Sequence, residues 1–187
     1  MAGGMSTRMG RDKASLEIDG VLLWKRQLDL LNSICEPVSV IAPRRPCWLP
    51  DGRAFVRDDP DARGPMAGLL AALEWTRLCG GSHVLVLAVD LPRMTAQVLL
   101  KLAGACRSGQ GLIPVKDSFF EPLCAVYPVE ALPFFGESAR RGQWKLQGVI
   151  NDLLAEGLMV SHNLPPEDEC AFFNLNSPRD LEALSGP

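Results

Sequence analysis

The residues with the most chemical potential crowd into one end of the chain, Ala2-Gly3-Gly4-Met5-Ser6-Thr7-Arg8-Met9-Gly10-Arg11-Asp12-Lys13. Three glycines, two hydroxyl residues, two arginines and a lysine share this short stretch. Glycine tolerates positive φ and has no Cβ, so successive backbone N–H groups can converge on one anion at close range. Arg8 would add a planar fork of donors and Lys13 a mobile point charge. The stretch reads as a phosphate cradle, the alternative being a flexible terminal segment with solvated charges. Its spacing is neither the P-loop pattern nor the dinucleotide fingerprint, because a gap separates Gly3-Gly4 from Gly10.

A second chemical residue stands apart from the loop. The apolar run His83 to Val89, with three valines, has the character of a central parallel strand covered on both faces, and it ends on Asp90. A carboxylate at the end of a buried strand, beside a basic phosphate loop, suits a divalent cation joining the two. Magnesium takes one or two carboxylates plus substrate phosphate oxygens. Asp90 is then its main ligand, unless the residue only caps the turn Asp90-Leu91-Pro92.

The elements that must position these groups alternate between the two periods. Val21 to Ile34 carries Leu23, Gln27, Leu30 and Ile34 at helical spacing, after a turn at Asp19-Gly20. Val38 to Ala42 and Ala54 to Arg57 read as short strands, and Gly64 to Leu78 as a helix with proline in its first turn. Thr95 is a plausible N-cap for a helix to Cys106. Gly111 to Val115 and Pro122 to Val126 read as strands around a polar turn, Lys116 to Ser118. Trp144 to Glu156 predicts a helix closed by Gly157, Leu158 to Val160 and Ala171 to Phe173 late strands, and Pro178 to Leu184 a last helix. Strands alternating with helices predict a three-layer, doubly wound α/β domain with a mostly parallel sheet, spanning residues 1–187 as a single domain. In such sheets ligands sit outside the carboxyl ends of the strands, which is where Asp90 falls.

Composition narrows the partners. A chain of 187 residues can bury roughly 70% of its unfolded surface in one core. A net charge of −3 offers no broad basic face for nucleic acid, so phosphate binding must be local. No apolar run reaches the ~18 residues of a membrane span, and no signal-peptide layout is visible, so a cytoplasmic protein is expected. The six cysteines lack metal-clip spacing, and most are expected to be reduced, small core residues.

The string Ala-Gly-Gly-x-Ser-x-Arg-Met-Gly-x-Asp-Lys resembles the signature of the molybdenum cofactor guanylyltransferase family, within a wider group of nucleotidyltransferases of Rossmann-like fold. Later segments repeat the resemblance in order: Gly64-Pro65-Met66-Ala67-Gly68, Val89-Asp90-Leu91-Pro92, Glu121-Pro122-Leu123 and Phe173-Asn174-Leu175-Asn176-Ser177-Pro178. The resemblance implies transfer of GMP from GTP to the phosphate of molybdopterin, or of its molybdenum form, with loss of pyrophosphate. Asp90 would hold magnesium, and Arg8, Lys13 and Asp90 would be the catalytic residues. Met1, Ala2, Gly3, Gly4, Lys13, Asp58, Gly64, Gly68 and Asp90 would contact the nucleotide, with Asp59 an equally good alignment for Asp58. Asn174 and Asn176, at strand spacing, would face the acceptor together, unless they form an Asx turn. At Gly64 to Gly68 close helix–sheet packing is an equal reading to nucleotide approach. Arg140, Arg141 and Lys145 could receive the anionic acceptor but suit a solvated surface at least as well.

The resemblance also implies transient contact with cofactor-biosynthesis or acceptor molybdoenzymes, and it brings two departures. Ile41 occupies a strand position where the family often carries an asparagine for guanine. A relative using CTP, or a sugar or alditol phosphate acceptor, therefore stays open. The family also has a buried strand just ahead of the glycine loop, whereas this sequence opens on the loop at Met1. The expectation is an apolar slot with unpaired backbone groups at the sheet centre, and a non-catalytic nucleotide-binding protein is the alternative it leaves.

Overall fold

The computed structural model describes Met1, residues 13–58 and residues 62–185. After a single 3-10 turn, Lys13–Ser15, the chain forms a small hairpin of β1 (Glu17–Ile18) and β2 (Val21–Leu22). Asp19 and Gly20 take φ of 53° and 76°, as a two-residue turn between twisted strands requires. The hairpin uses Val21 and Leu22, so the helix expected to begin there starts two residues later, as α1 (Leu23–Asn32).

Two short strands follow, β3 (Val40–Ala42) and β4 (Phe55–Arg57), paired in parallel. Gly64, at φ 60°, turns the chain into α2 (Pro65–Leu78), with proline in the first turn where no N–H is needed. β5 (His83–Leu87) leads toward Asp90. In α3 (Ala96–Gly104) the Thr95 hydroxyl accepts the Val98 N–H at 3.3 Å, the expected N-cap.

The next segment departs from expectation. Asp117 and Ser118 both take positive φ and fold β6 (Gly111–Lys116) back onto a two-residue β7 (Phe119–Phe120). The polar turn therefore serves β7, and the next long strand, β8, begins only at Cys124 and runs to Pro128. A helix unmarked by clean periodicity, α4 (Leu132–Arg140), precedes α5 (Leu146–Ala155). β9 runs Met159–Asn163, and the short α6 (Pro166–Glu169) passes into a 3-10 turn, Cys170–Phe172. The strand expected at Ala171 to Phe173 is thus not formed: prolines and acidic residues ahead of it start a helical turn. The last helix is α7 (Pro178–Ser185).

β8 runs antiparallel to both β5 and β6, and β9 pairs in parallel with β6. Along these strands side chains alternate between two cores. Val86, Ile113, Ala125 and Tyr127 face α2, α4 and α5 with Leu69, Leu73, Phe135 and Ile150. Leu87, Leu112, Cys124 and Val126 face the opposite layer with Leu91, Leu99 and Phe172. Burial on both faces of one sheet is what makes the fold three-layered. At Gly111 an added Cβ would collide with the Val126 carbonyl, so glycine there lets β6 and β8 approach.

Among the described residues no helix is long and apolar enough to cross a membrane. The cysteines are free but differ in burial from expectation. Cys124 is buried, Cys35 and Cys106 are half-buried, and Cys47, Cys79 and Cys170 are exposed.

Candidate active site

The turn after β5 is fixed from two sides. The Leu175 N–H donates to the Asp90 carbonyl at 2.8 Å, and the buried Gln27 side chain donates to the Leu91 carbonyl at 2.6 Å. Backbone and helix thereby lock the turn, leaving the Asp90 carboxylate free to point outward, 26% exposed. Lys13 reaches it from the 3-10 turn Lys13–Ser15, Nζ to Oδ2 at 3.5 Å. The same Nζ donates to Oδ1 of Asn176 at 2.9 Å, across 163 sequence positions. Three motifs read separately in the sequence, Lys13, Asp90 and Asn176, thus meet at one point.

Asn176 is itself held. A single Asp180 carboxylate oxygen accepts the backbone N–H groups of Asn176 at 2.8 Å and Ser177 at 2.7 Å. The first of these bonds is the main cause that holds the Asp180 carboxyl below the usual carboxylate range. The Ser177-x-x-Asp180 spacing is that of a capping box, a signal legible in the sequence. Asn174 and Asn176 flank Leu175, which is fully buried, but the segment is not a strand. The structure brings Asn176 to Lys13 and gives Asn174 no comparable contact with it.

On the other side stand Met1 and Asp58. The Asp58 N–H donates to the Ala42 carbonyl at 3.0 Å, placing the residue just past the carboxyl ends of β3 and β4. One of its carboxylate oxygens is buried without a hydrogen-bond partner. Burial pushes its carboxyl above the usual value, against the opposing pull of the Met1 ammonium. That ammonium donates to the Leu87 carbonyl at 2.6 Å, and burial lowers it to about 6 despite the Asp90 and Asp58 charges. Gly68 lies against Met1: an added Cβ would overlap the Met1 methyl, with an Asp58 oxygen 3.7 Å away. Gly64 has open space around it and is needed for its positive φ.

Glu121, of the segment Glu121-Pro122-Leu123, is a third carboxylate near Asp90. Burial raises its carboxyl, the Lys116 charge pulls it down, and the Asp90 charge raises it further. Arg140 and Arg141 are spent on Glu137, at 2.6 and 2.7 Å on the exposed end of α4, which is the solvated-surface arrangement. Ile41 is buried on β3. Ala2, Gly3, Gly4, Arg8 and Asp59 lie outside the described residues.

Chemically, the site places a lysine, an accessible aspartate and a carboxamide beyond the carboxyl end of β5, which among the described strands is not the central parallel strand expected but an end member of its sheet, antiparallel to β8. It can neutralise phosphate charge and hold a hard cation, and among the described residues it offers no cluster of three or more metal-binding side chains.

Comparison with known proteins agrees. Residues 1–155 match the MobA-like NTP transferase domain. The chain is 38% identical to a probable molybdenum cofactor guanylyltransferase of Opitutus terrae, over 97% of this chain and 91% of that protein. Its fold superposes on molybdopterin-guanine dinucleotide biosynthesis protein A from Archaeoglobus fulgidus with a TM-score of 0.76 at 23% identity, covering 98% and 93% of the two chains. It also superposes on 2-C-methyl-D-erythritol 4-phosphate cytidylyltransferase from Thermus thermophilus, with a TM-score of 0.66 at 18% identity over 95% and 93%. The chain belongs to the MobA-like NTP transferase family and is a nucleotidyltransferase.

Proposed function

We propose that this chain transfers GMP from GTP to the phosphate of molybdopterin, or of its molybdenum form. An oxygen of the acceptor phosphate attacks the α-phosphorus of GTP, and the bond from that phosphorus to the bridging oxygen breaks. Pyrophosphate carries away the electron pair. The observation that carries this reading is the convergence of Lys13, Asp90 and Asn176 at the end of β5.

Such a transfer needs alignment and charge neutralisation rather than a protein nucleophile. Lys13 would lie along the phosphates, held from behind by Asn176. The site also suits magnesium: Asp90 presents an accessible carboxylate, and Asp58 has a buried oxygen without a partner. Asp90 would hold the ion, which would offset phosphate charge. Asp58, Met1 and the glycines at the start of α2 would border the nucleotide.

The test is a melting series with GTP, CTP, ATP and UTP, each with and without magnesium, followed by an assay of GMP incorporation into molybdopterin. At a hundredfold excess over Kd a ligand stabilises by about 2.7 kcal/mol, or roughly 5–10 °C here. We expect that shift with magnesium and GTP alone. A shift with CTP instead would favour a cytidylyltransferase, which the buried Ile41 keeps in view. No shift with any nucleotide would remove the enzymatic reading.

A further inference from the structure

The turn that carries Asp90 is closed on itself. The Leu91 carbonyl accepts the Met94 N–H at 3.1 Å, and both residues are buried. A second bond reaches the same carbonyl from outside the turn, from the Gln27 Nε2 at 2.6 Å across 64 sequence positions. A carbonyl oxygen has two lone pairs, so it keeps one partner when the other is removed. The turn can therefore form without Gln27.

Gln27 is also an expensive residue for its place. It sits between Leu23 and Leu30 on the buried stripe of α1 and is 6% exposed. A carbonyl only accepts, so the Gln27 amide must turn its NH2 toward Leu91, and its Oε1 is left buried without a hydrogen-bond partner. An unsatisfied buried oxygen destabilises a fold, and methionine would fill the stripe without one.

What Gln27 adds is a link to the other half of the site. At the start of α1 the Leu23 N–H donates to the Leu16 carbonyl at 2.8 Å, and the Leu16 N–H donates to the Lys13 carbonyl at 3.1 Å. Leu23 is fully buried, which fixes the helix start to the segment presenting Lys13. Residues four apart share one helix face, about 6 Å apart along the axis. One turn of α1 thus grips the main chain behind Lys13 at Leu23 and the turn of Asp90 at Gln27. In front of it the two side chains meet, Nζ to Oδ2 at 3.5 Å. A further link runs through Leu175 and Asn176, but it ends on the tip of the Lys13 side chain, whereas α1 holds the main chain.

We propose that the first turn of α1 is the gauge that sets Lys13 against Asp90, and that Gln27 is a positioning residue for the transfer reaction. The inference rests on the reading that gives Lys13 to the phosphates and Asp90 to the cation. A transfer of that kind asks the protein for alignment, and a displacement of about 1 Å can lower the rate about a hundredfold. The gauge explains why a buried donor stands where an apolar side chain would pack better: it serves the spacing of two charged groups.

The experiment compares the unaltered chain with Gln27→Met, which keeps the length and loses the donor, and with Gln27→Glu, which sets an acceptor against the Leu91 carbonyl. Leu30→Met, on the same stripe, is the control. Gln27→Met should shift the melting midpoint by no more than about 3 °C, lower kcat for GMP transfer about tenfold or more, and leave the KM for GTP within about twofold. Gln27→Glu should lower kcat further, and Leu30→Met should leave it unchanged. A crystal structure of Gln27→Met should show Lys13 Nζ and Asp90 Oδ2 beyond the ~4 Å of an ion pair. In a Lys13→Ala background, with one of the two groups gone, Gln27→Met should lower kcat less than about twofold.

An unaltered kcat in Gln27→Met overturns the inference, as does an unchanged Lys13–Asp90 separation. A Gln27→Met chain that does not fold, or whose loss is confined to the midpoint, makes Gln27 a stability element and overturns it too. An undiminished loss in the Lys13→Ala background would tie Gln27 to Asp90 alone, without a gauge. If the unaltered chain transfers no GMP, the proposed function fails, and the separation in the crystal still decides the gauge.

Discussion

β8 and β5 lie side by side, and the fold treats them differently. β8 is buried at all five positions and is laddered to β5 on one edge and β6 on the other. β5 is buried only at Val86 and Leu87, and its other edge meets Met1 alone among the described residues. Asp90 stands on the boundary. Leu175 and Gln27 of α1 fix its turn, Met1 bonds the β5 edge beside it, and the β3–β4 pair carries Asp58. Positional precision at Asp90 is thus inherited from a fully packed core, while the Asp58 side depends on a less completed one.

The sharpest way to break this comparison is at the site. Asp90→Ala should lower GMP transfer by on the order of 10²–10³-fold or more with little change in melting, since the carboxylate is part-exposed and its turn is held by main chain. Lys13→Ala should follow closely. Asp58→Asn should fall well short of both, seen mainly as a higher KM for the nucleotide. Equal losses at Asp58 and Asp90 would mean that the two halves share the chemistry evenly.

Packing gives the next contrast. Phe135 is fully buried and lies edge-on to Tyr127, centroids 5.6 Å apart. Phe135→Ala should cost about 3–5 kcal/mol in urea unfolding. Ile41→Ala, in the two-stranded β3–β4 pair, should cost less, about 2 kcal/mol, at the low end for such truncations. Similar losses at the two would show the halves to be equally packed.

A smaller effect follows from the Met1 ammonium, lowered from 8.0 to about 6 by burial. Between those values the unfolded chain holds more protons than the folded one, so stability rises with pH across that window. Below about 6 the penalty is complete, and above 8 it vanishes. Two pKa units correspond to about 2.7 kcal/mol, and chemical denaturation at pH 5.5, 7 and 8.5 measures it. Acetylating the terminus should remove this dependence; a flat profile in the unmodified chain would mean that the amine reaches solvent.

Much of this was legible in the chain, and the failures have physical causes. Asp90 stood out because an apolar run ending in a carboxylate has few other uses, and Lys13 because it closes a glycine-rich basic loop. Their meeting with Asn176 could not be read from local pattern, since it depends on a contact between distant ends. Helix α4 is not legible in the local pattern because Pro133 and Gly136 break the signal while buried Phe135 anchors it. The strand expected at 171–173 failed because tertiary packing of Phe172, fully buried in a 3-10 turn, overrode its apolar pattern.

The smallest expected effect lies at Asp180. Its carboxylate accepts two backbone N–H groups, those of Asn176 and Ser177, and so fixes where the Asn176 side chain starts. Asp180→Ala should leave the core intact, shift melting by a few degrees at most, and lower kcat less than about tenfold. Because those bonds hold the carboxyl below its ordinary 3.8, the ionised form is favoured by folding. Its stabilisation is present above about pH 4 and fades as pH falls through the folded value. Asn176→Ala, which removes the carboxamide itself, should lower kcat more than Asp180→Ala, and the double variant should match Asn176→Ala alone. Additive losses would separate Asp180 from Lys13, and the helix cap would then serve α7 without serving the site.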